Sequence, residues 1–492
     1  MSMHDRSGDG FRFCGTCFTH SSGELPASGE ERPSTTRARQ IQTESLLHIE
    51  HISINGVRGF HGPTAASELE FPVPSDGRGS WTVLAGRNGS GKTTLLRTIA
   101  LALVGPSFAR NLVPDFDHWV TQGADTGEVT VAIIPGAEDT GSAAGMTSGT
   151  PFTGALLWRQ NRAPRGGTRV TGPEDVSDDE IPRSGPWAED ASGWFVAGYG
   201  PFRRLEGGAS QAQRLSMSPG PVSRLASLFN EDVSSAEAVE WLKDLHLRQL
   251  EGRSHAGERL AFVTDMLNDG LLPDGLSVDR VDADGLWVRR GDHTSALSEL
   301  SDGYRTVTAL VLDLVRQVFS LEEEGAYGYS ESGVPAVFVS GVVLIDEIDV
   351  HLHVSWQKAI GDWLKRHFPH MQFIVSSHSP YVCQSADPGG LIRLPGVNEE
   401  TAPRVVSEDL YRRIVFGSGD DALLTELFGV DSLYSPQAEK KRQRLSELEV
   451  RVLDGSATPG EIDEYVELRH TLTSSLATRV NEVSRASGTE RM

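Results

Sequence analysis

Three short apolar runs, each ending in small or polar residues, stand out in the hydrophobic pattern of this chain. The first, Val83 to Ala85, leads into a glycine-rich stretch and then into helical periodicity that continues to about Leu103. The second covers 342–345 and ends in two acids, and the third covers 373–375, after Gln372, and ends in Ser-Ser-His. Uninterrupted apolar runs of this length are typical of parallel strands buried on both faces. The pattern therefore predicts an α/β fold in which polar groups collect at one edge of a parallel sheet.

Other segments show the alternation of half-buried strands or the spacing of amphipathic helices. Strands are predicted at 46–54, 127–134 and 193–204, and a hairpin at 276–281 and 285–289. Helical spacing recurs between Val222 and Leu267. A strongly apolar helix is predicted to begin after Ser301, a good N-cap residue, and to run through Val318. Loop-like composition is expected from the end of the strand at 127–134 to about Thr153, and again over 159–191.

These segments predict three regions. Residues 1–45 lack apolar periodicity and are expected to be a disordered N-terminal extension, because they cannot bury enough surface to offset the entropy lost on ordering. Residues 46–415 are expected to form the main α/β domain, with a small helical lobe inserted at about 210–275. Residues 416–492 are expected to form a helical C-terminal region, with helices near 439–453 and 461–476.

Composition narrows the classes of function. The 492 residues carry 45 basic and 68 acidic side chains, a net charge of −23, so the surface as a whole does not favour polyanions, although a local basic groove stays open. The chain has no apolar run of about eighteen residues, which argues against a membrane span, and no apolar signal core, which predicts a cytoplasmic protein. Three cysteines fit a reducing compartment. Cys14-Gly-Thr-Cys17 with His20 resembles half of a zinc knuckle, but no second pair of ligands lies nearby.

The glycine-rich stretch has the spacing Gly-x-x-x-x-Gly-Lys-Thr between a predicted strand and a predicted helix. Glycines let backbone N–H groups turn towards the β- and γ-phosphates of a nucleotide, and the helix N-terminus favours negative charge. Lys92 would add a positive charge, and the Thr93 hydroxyl would ligate Mg²⁺. The candidate nucleotide-binding residues of this cradle are Gly86, Arg87, Asn88, Gly89, Ser90, Gly91, Lys92, Thr93 and Thr94.

The ends of the other two apolar runs supply candidates for the chemistry. Asp346 would hold Mg²⁺ through water, and Glu347 would orient or deprotonate an attacking water. His378 would contact the γ-phosphate and report its loss. Taken alone, the two acids are explained as solvated groups after a core strand, and a lone histidine is more often structural. Together with the cradle, these sites favour a nucleoside triphosphatase whose catalytic candidates are Glu347, His378 and Lys92.

Four further candidate residues also have explanations that involve no role in the site. The turn that carries Arg58 and Phe60 precedes the cradle, and Arg58 is a candidate nucleotide ligand; a surface arginine and a core phenylalanine are equally consistent. Gln122 is a candidate nucleotide-sensing glutamine and Mg²⁺ ligand, although its residue type favours simple solvent exposure. Arg203 and Arg204 end a buried strand and either touch phosphate or cap a sheet edge.

The order of these motifs resembles that of ABC-type ATPases over roughly residues 46–415. A Walker A motif at 86–93, a Ser301-Asp-Gly303 signature, a Walker B motif at 342–347 and the His378 switch follow one another. The run Asp-Glu-Ile-Asp-Val-His-Leu-His-Val-Ser-Trp-Gln, which ends at Gln357, resembles the SMC/RecF/OLD-like group of AAA family ATPases rather than transporters. This resemblance implies a P-loop NTPase fold of the ABC/SMC-head type, a mixed sheet with flanking helices, and ATP and Mg²⁺ as ligands.

In this family two chains sandwich two ATP molecules, and the signature helix of each chain caps the nucleotide bound by the other. The resemblance therefore implies a homodimer or a larger assembly in which Ser301 and Gly303 contact ATP. Asp302 and Tyr304 depart from the Leu-Ser-Gly-Gly-Gln signature typical of the family. A helix N-terminus aimed at a γ-phosphate binds only while that phosphate exists, so ATP would hold the dimer closed and hydrolysis would open it.

The region after residue 415 resembles the C-terminal region of the ATPase subunits of Septu-type and related retron anti-phage systems, and a generic helical tail is the alternative. The resemblance implies control of a separate HNH-type nuclease. The sequence shows no TOPRIM-like acidic module, no long coiled-coil arms and no hook motif. A RecF-like DNA-binding ATPase in DNA repair is the second hypothesis. The two hypotheses differ in whether this chain itself binds nucleic acid.

Overall fold

A computed structural model of the chain describes residues 45–472, apart from 75, 140–147, 163–167, 189–190, 204–219, 234–235, 324 and 431. Several predictions lie outside these residues: the N-terminal extension up to residue 44 with its Cys14, Cys17 and His20, the start of the helical lobe, Arg204, and the last predicted helix beyond Leu472. The predicted domain boundaries stay predictions.

A six-stranded sheet, five of whose strands run parallel, lies at the centre of the fold. It contains β3 (Trp81–Ala85), β8 (Phe195–Tyr199), β14 (Gly341–Ile345), β15 (Met371–Ser377), β16 (Leu391–Arg393) and β17 (Arg404–Val405). Their order is β17-β16-β3-β15-β14-β8, and β17 is antiparallel to β16. Every residue of β3, β8, β14 and β15 is buried, because both faces of the sheet are covered. The three apolar runs are therefore adjacent parallel strands, as predicted.

A second, antiparallel sheet covers one side of the core. It contains β1 (His48–Asn55), β2 (Ala66–Glu70), β4 (Thr126–Ile134), β5 (Phe152–Arg162), β6 (Thr168–Val170) and β7 (Glu174–Asp175), in the order β2-β1-β4-β5-β6 with β7 beside β5. The prediction of loop over 159–191 is wrong at its start, because β5 pairs with β4 from Phe152 to Arg159 and with β6 beyond it. Backbone pairing with two neighbours holds this strand despite its polar end.

Helix α1 (Lys92–Leu112) lies between the two sheets. Its apolar face, with Leu95 and Ile99, packs into one cluster with residues of both sheets. The helix kinks at Gly105, where φ is 77° and Pro106 follows, close to the end predicted near Leu103. The buried Gln372 also joins the sheets, since its side chain accepts from the Ile49 N–H at 2.7 Å and donates to the Ile49 carbonyl at 3.0 Å.

The opposite face of the parallel sheet is covered by helices and two small sheets. Helices α2 (Ile181–Ser184) and α3 (Pro221–Phe229) pack in the cluster that contains α1. The helices on the opposite face are α4 (Ala236–Leu250), α5 (Ala256–Asn268), α6 (Asp302–Phe319), α7 (Val354–His367) and α8 (Pro380–Cys383). The small sheets are β9 (Ser277–Asp282), β10 (Gly285–Arg290) and β11 (His293–Ala296), and the pair β12 (Tyr327–Tyr329) and β13 (Pro335–Val337). The predicted hairpin is β9 and β10; the sequence did not indicate β11. Helices α4 to α7 share one apolar cluster with the parallel sheet.

The C-terminal region contains α9 (Glu408–Val415), α10 (Gly419–Leu423), α11 (Pro436–Leu453) and α12 (Pro459–Thr471). Helices α11 and α12 correspond to the two predicted helices. They are joined by a bidentate ion pair in which Arg444 Nε and Nη2 lie 3.0 and 2.8 Å from the two carboxylate oxygens of Glu464. Across the described ranges of the chain, no helix has the length and apolar character that a membrane crossing requires.

Candidate active site

The loop between β3 and α1 is shaped by close contacts that only glycine permits. A Cβ at Gly86 would lie 2.7 Å from Ser90 Oγ, and one at Gly91 would lie 2.9 Å from the Phe60 ring. Gly89 and Gly91 have φ values of 79° and 91°, in the left-handed region. The loop therefore folds back on itself with its N–H groups at the start of α1, as a phosphate cradle requires.

Polar groups inside the loop fit a bound phosphate chain. Lys92 is 6% exposed, and its Nζ donates to the carbonyls of Gly86 at 2.9 Å and Arg87 at 3.1 Å. Burial lowers the pKa of Lys92, and the charges of three nearby carboxylates partly oppose this shift. Ser90 Oγ is buried without a hydrogen-bond partner in the described part of the chain. A buried hydroxyl without a partner is unusual, and a phosphate oxygen would supply one.

Thr93 and Asp346, which are 253 positions apart in the sequence, meet at the loop. The Thr93 hydroxyl donates to Asp346 Oδ2 at 2.7 Å, and the buried Ser376 hydroxyl donates to Asp346 Oδ1 at 2.6 Å. A hydroxyl and a carboxylate are the kind of oxygen ligands that Mg²⁺ takes from a protein, the rest of its shell being water and phosphate. The pair therefore fits a magnesium ion beside the cradle.

Glu347 follows Asp346 in an uncommon backbone conformation. Its φ is 46°, in the left-handed region that costs a non-glycine residue about 1–2 kcal/mol. Its N–H donates to Ser376 Oγ at 2.8 Å, so one serine bridges both acidic residues. Burial raises the pKa of Glu347, the charges of Asp346 and Asp349 raise it further, and Lys92 and Arg203 oppose them. Such strain and such a shift are common at catalytic positions.

The end of β15 is tied to the turn that follows the acidic pair. The Ser377 hydroxyl donates to Asp349 Oδ1 at 2.6 Å, and the His378 N–H donates to the same oxygen at 3.3 Å. Burial and the charge of Lys92 lower the pKa of the half-buried His378, which is therefore neutral at pH 7. Ser376 and Ser377 were not identified as site residues from the sequence. The available signal was a Ser-Ser pair at the end of a buried strand next to the acid-bearing strand.

Arg58 and Gln122 lie in adjacent turns. Arg58 has a φ of 48°, and its guanidinium lies 4.6 Å from the centroid of the Trp119 ring. Burial lowers the pKa of Arg58, and the positive charge of Arg97, on α1, lowers it further. The Thr121 hydroxyl donates to the Arg58 carbonyl, and the next residue, Gln122, is exposed. Roles for Arg58 and Gln122 in nucleotide binding stay predictions.

The signature residues lie at the start of α6. Ser301 is the exposed N-cap residue, but its hydroxyl does not cap its own helix, unlike the common use of serine there. Gly303 is buried. A Cβ at this position would lie 2.5 Å from the His351 carbonyl oxygen, so the close packing requires glycine. The Tyr304 hydroxyl donates to Asp274 at 2.8 Å, and its ring packs edge-on against Trp356 at 4.7 Å. Gly303 and Tyr304 thus have packing roles within the chain, and Ser301 faces outward.

Two contacts join the cradle to later parts of the chain. Arg87 donates to the carbonyl of Gly429, which follows α10. Val397 is 76% exposed and lies close to Gly89. A Cβ added at Gly89 would be 3.0 Å from a methyl group of Val397. Of the two predicted alternatives for Arg203, phosphate contact or a sheet-edge cap, the contacts fit the cap, since its buried guanidinium bonds the backbone carbonyls of the acidic pair just after β14.

Two family models match this chain. One, described as "AAA domain, putative AbiEii toxin, Type IV TA system", matches residues 216–384, and a second, "AAA domain", matches residues 51–142. The first includes the signature, the acidic pair and His378, and the second includes the cradle. Each model thus covers one part of the site that the structure brings together.

The sequence is also similar to a Septu protein and to a retron ATPase. The Septu protein PtuA of Bacillus mycoides (strain KBAB4) is 25% identical over 314 residues, 64% of this chain and 36% of that protein. The retron Ec83 probable ATPase of Escherichia coli is 36% identical over 121 residues, 25% of this chain and 21% of that protein. The matches thus span about a third or less of either relative's length.

Among solved structures, the SMC head domain from Thermotoga maritima aligns with a TM-score of 0.37 and 16% identity over 73% of this chain and 99% of that one. By its motifs, its P-loop fold and its sequence relatives, the chain resembles the ABC-type, AAA family ATPases of the SMC/RecF/OLD-like group, among them Septu PtuA proteins and retron ATPases.

Proposed function

We propose that this chain binds ATP with Mg²⁺ and hydrolyses it, and that its ATP-bound homodimer or larger assembly controls a separate HNH-type nuclease in anti-phage defence. The observation that carries the proposal is the hydrogen bond of 2.7 Å from the Thr93 hydroxyl to Asp346 Oδ2, because it joins the phosphate cradle to the acid-bearing strand. The named Septu and retron relatives support the defence role.

The chemistry follows from the positions of the side chains. The loop N–H groups and Lys92 bind the phosphates, and Thr93 and Asp346 would hold the metal, which would neutralise charge on the phosphates. Glu347 accepts the proton of the water that attacks the γ-phosphorus, while the bond from that phosphorus to the ADP oxygen breaks. A raised pKa brings Glu347 closer to neutral pH, where a general base works best. The backbone N–H of His378 donates to Asp349, and burial and the nearby charge of Lys92 help to keep its imidazole uncharged.

The second part of the proposal is that the site is completed by a second copy. The Ser301 hydroxyl is exposed, and it is not used by its own helix. The first N–H groups of an α-helix have no acceptor within that helix, so the start of α6 is a ready anion site. A γ-phosphate held by a partner chain would fill it, and hydrolysis would release the contact.

The test compares the wild-type protein with two variants. Lys92→Ala is expected to lose ATP binding, measured with a fluorescent ATP analogue. Glu347→Gln is expected to bind ATP normally, to hydrolyse it about 10²–10⁴-fold more slowly, and to accumulate as an ATP-bound dimer in light scattering, since a general base contributes on that scale. Unchanged turnover in Lys92→Ala would refute the cradle, and a Glu347→Gln protein that stays monomeric with ATP would refute the sandwich.

The link to a nuclease is tested by identifying the genes that neighbour this one and co-expressing the chain with any HNH-type nuclease that they encode. Co-purification, with cleavage of DNA that changes in Glu347→Gln, is the expected result. If the nuclease neither binds nor responds to the variant, control of a nuclease is wrong. A salt-dependent shift of duplex DNA by this protein alone would instead favour the RecF-like alternative.

A further inference from the structure

The side chain of Arg203 ends inside the protein, at the backbone of the acidic pair. The residue follows β8 and is 4% exposed. Its Nε donates to the Gly200 carbonyl at 2.9 Å, and its Nη2 donates to the carbonyls of Asp346 at 2.7 Å and Glu347 at 3.0 Å. All three acceptors are backbone oxygens, and two belong to the residues proposed to hold the metal and activate water.

The backbone conformation of Glu347 explains how one guanidinium reaches both oxygens. Successive carbonyls of an extended strand point to opposite sides, so a single donor cannot bond two in a row. The strand β14 ends at Ile345, and Glu347 leaves the extended region with a φ of 46°. The carbonyls of Asp346 and Glu347 therefore face the same donor, and the hydrogen bonds to Arg203 hold that turn.

The neighbouring strand holds the same turn from a second side. The Asp346 N–H donates to the Tyr199 carbonyl at 2.8 Å, which continues the pairing of β14 with β8 by one residue. Arg203 lies only four positions after Tyr199, so the end of β8 contacts both the N–H and the carbonyl of Asp346. Burial lowers the pKa of Arg203 to about 10, against the raising effect of three nearby acids, so the guanidinium is charged at neutral pH.

We propose that Arg203 is a positioning residue for hydrolysis, which fixes the left-handed turn at Glu347 and thereby the direction of its carboxylate. Arg203 has no contact with the nucleotide in this role. The proposal rests on the proposed ATPase function, because it concerns the orientation of the group that activates water. It predicts that replacing Arg203 slows the chemical step and leaves ATP binding intact.

The test uses Arg203→Lys, which keeps the charge but not the fork of donors, and Arg203→Met, which removes both. Arg224→Met is the matched control, because Arg224 is also buried and packs against the Phe195 ring of β8 at 5.1 Å. Both Arg203 variants are expected to lose about 10- to 100-fold in kcat, as is common when a group that orients a metal ligand is removed. The dissociation constant of a fluorescent ATP analogue should change less than about twofold, and Arg224→Met should keep kcat.

A second measurement separates positioning from general destabilisation. In single-turnover assays, Arg203→Lys added to Glu347→Gln should cause no further loss, because two residues that act through one step are not additive. Independent, multiplied losses would overturn the proposal, as would an unchanged kcat in Arg203→Lys. If Arg203→Met does not fold by circular dichroism, Arg203→Lys decides. A wild-type protein that does not hydrolyse ATP would refute the proposed function, whereas normal turnover in folded Arg203 variants would refute only this inference.

Discussion

Replacing Ser376 by alanine removes one hydroxyl that bonds both acidic residues. Its Oγ donates to Asp346 Oδ1 at 2.6 Å and accepts from the Glu347 N–H at 2.8 Å, and the side chain is fully buried. A hydrogen bond to a charged group contributes about 1.5–3 kcal/mol. If this stabilisation is lost from the transition state, the barrier rises by the same amount and kcat falls about 10- to 150-fold.

The assay is phosphate release at saturating ATP, repeated across a Mg²⁺ titration. Ser376→Ala is expected to lower kcat and to raise the Mg²⁺ concentration at half-maximal rate, because the freed Asp346 carboxylate loses its fixed orientation. Binding of ATP analogue without Mg²⁺ should not change, since the Ser376 hydroxyl bonds the acidic pair and not the phosphate-binding loop.

Thr82→Val is the matched control for this prediction. Thr82 lies on β3 in the same sheet, is fully buried, and its hydroxyl has no hydrogen-bond partner within the described ranges. Removing that hydroxyl should leave kcat unchanged and should not lower the free energy of unfolding. If Ser376→Ala keeps kcat and its Mg²⁺ dependence within twofold of the wild type, the assigned bridge between Asp346 and Glu347 has no role in catalysis.

Three other predictions follow from the same geometry. Ser301→Arg should bind ATP but fail to dimerise in light scattering, because the bulky cation occupies the space at the start of α6; an ATP-dependent dimer would contradict this. The carboxylate is the active form of Glu347, so turnover should fall as the pH is lowered and this residue becomes protonated. Because the pKa of Glu347 is raised, the fall should begin at a higher pH than for an ordinary glutamate, whose pKa is 4.5. A kcat profile whose acidic limb persists in Glu347→Gln would assign the limb to another group. Gly303→Ala should lower the free energy of unfolding by about 1–3 kcal/mol in urea titration, because its Cβ meets the His351 carbonyl at 2.5 Å; unchanged stability would refute that contact.

Much of the candidate site was predictable because its parts are local in sequence. The cradle is one continuous motif between a strand and a helix, and Asp346, Glu347 and His378 each end an apolar run. In a parallel sheet, strands of this kind deliver their polar ends to one edge. The loop prediction over β5 failed because its polar end is stabilised by pairing with other strands, which local composition does not reveal.

Other features depended on contacts between distant segments. Arg203 was assigned to phosphate or to a sheet edge, and two of the three carbonyls that it bonds at that edge lie more than a hundred positions away, which no local pattern indicates. Gly303 fits the signature motif, but its glycine is also required by the approach of the His351 carbonyl. Ser376 ends a buried strand as part of a Ser-Ser pair, but its hydrogen bonds to both acidic residues are visible only in the structure.

The sequence by itself determined which residues have the chemistry to bind a triphosphate, because glycine spacing, a lysine and paired acids act through their own side chains and local backbone. Tertiary structure decided how those residues are held. The left-handed turn at Glu347, the serine that joins it to Asp346 and the guanidinium of Arg203 lie on or shortly after three separate strands. Their arrangement depends on the order and register of the sheet, which are set by packing over the whole fold rather than by any one segment.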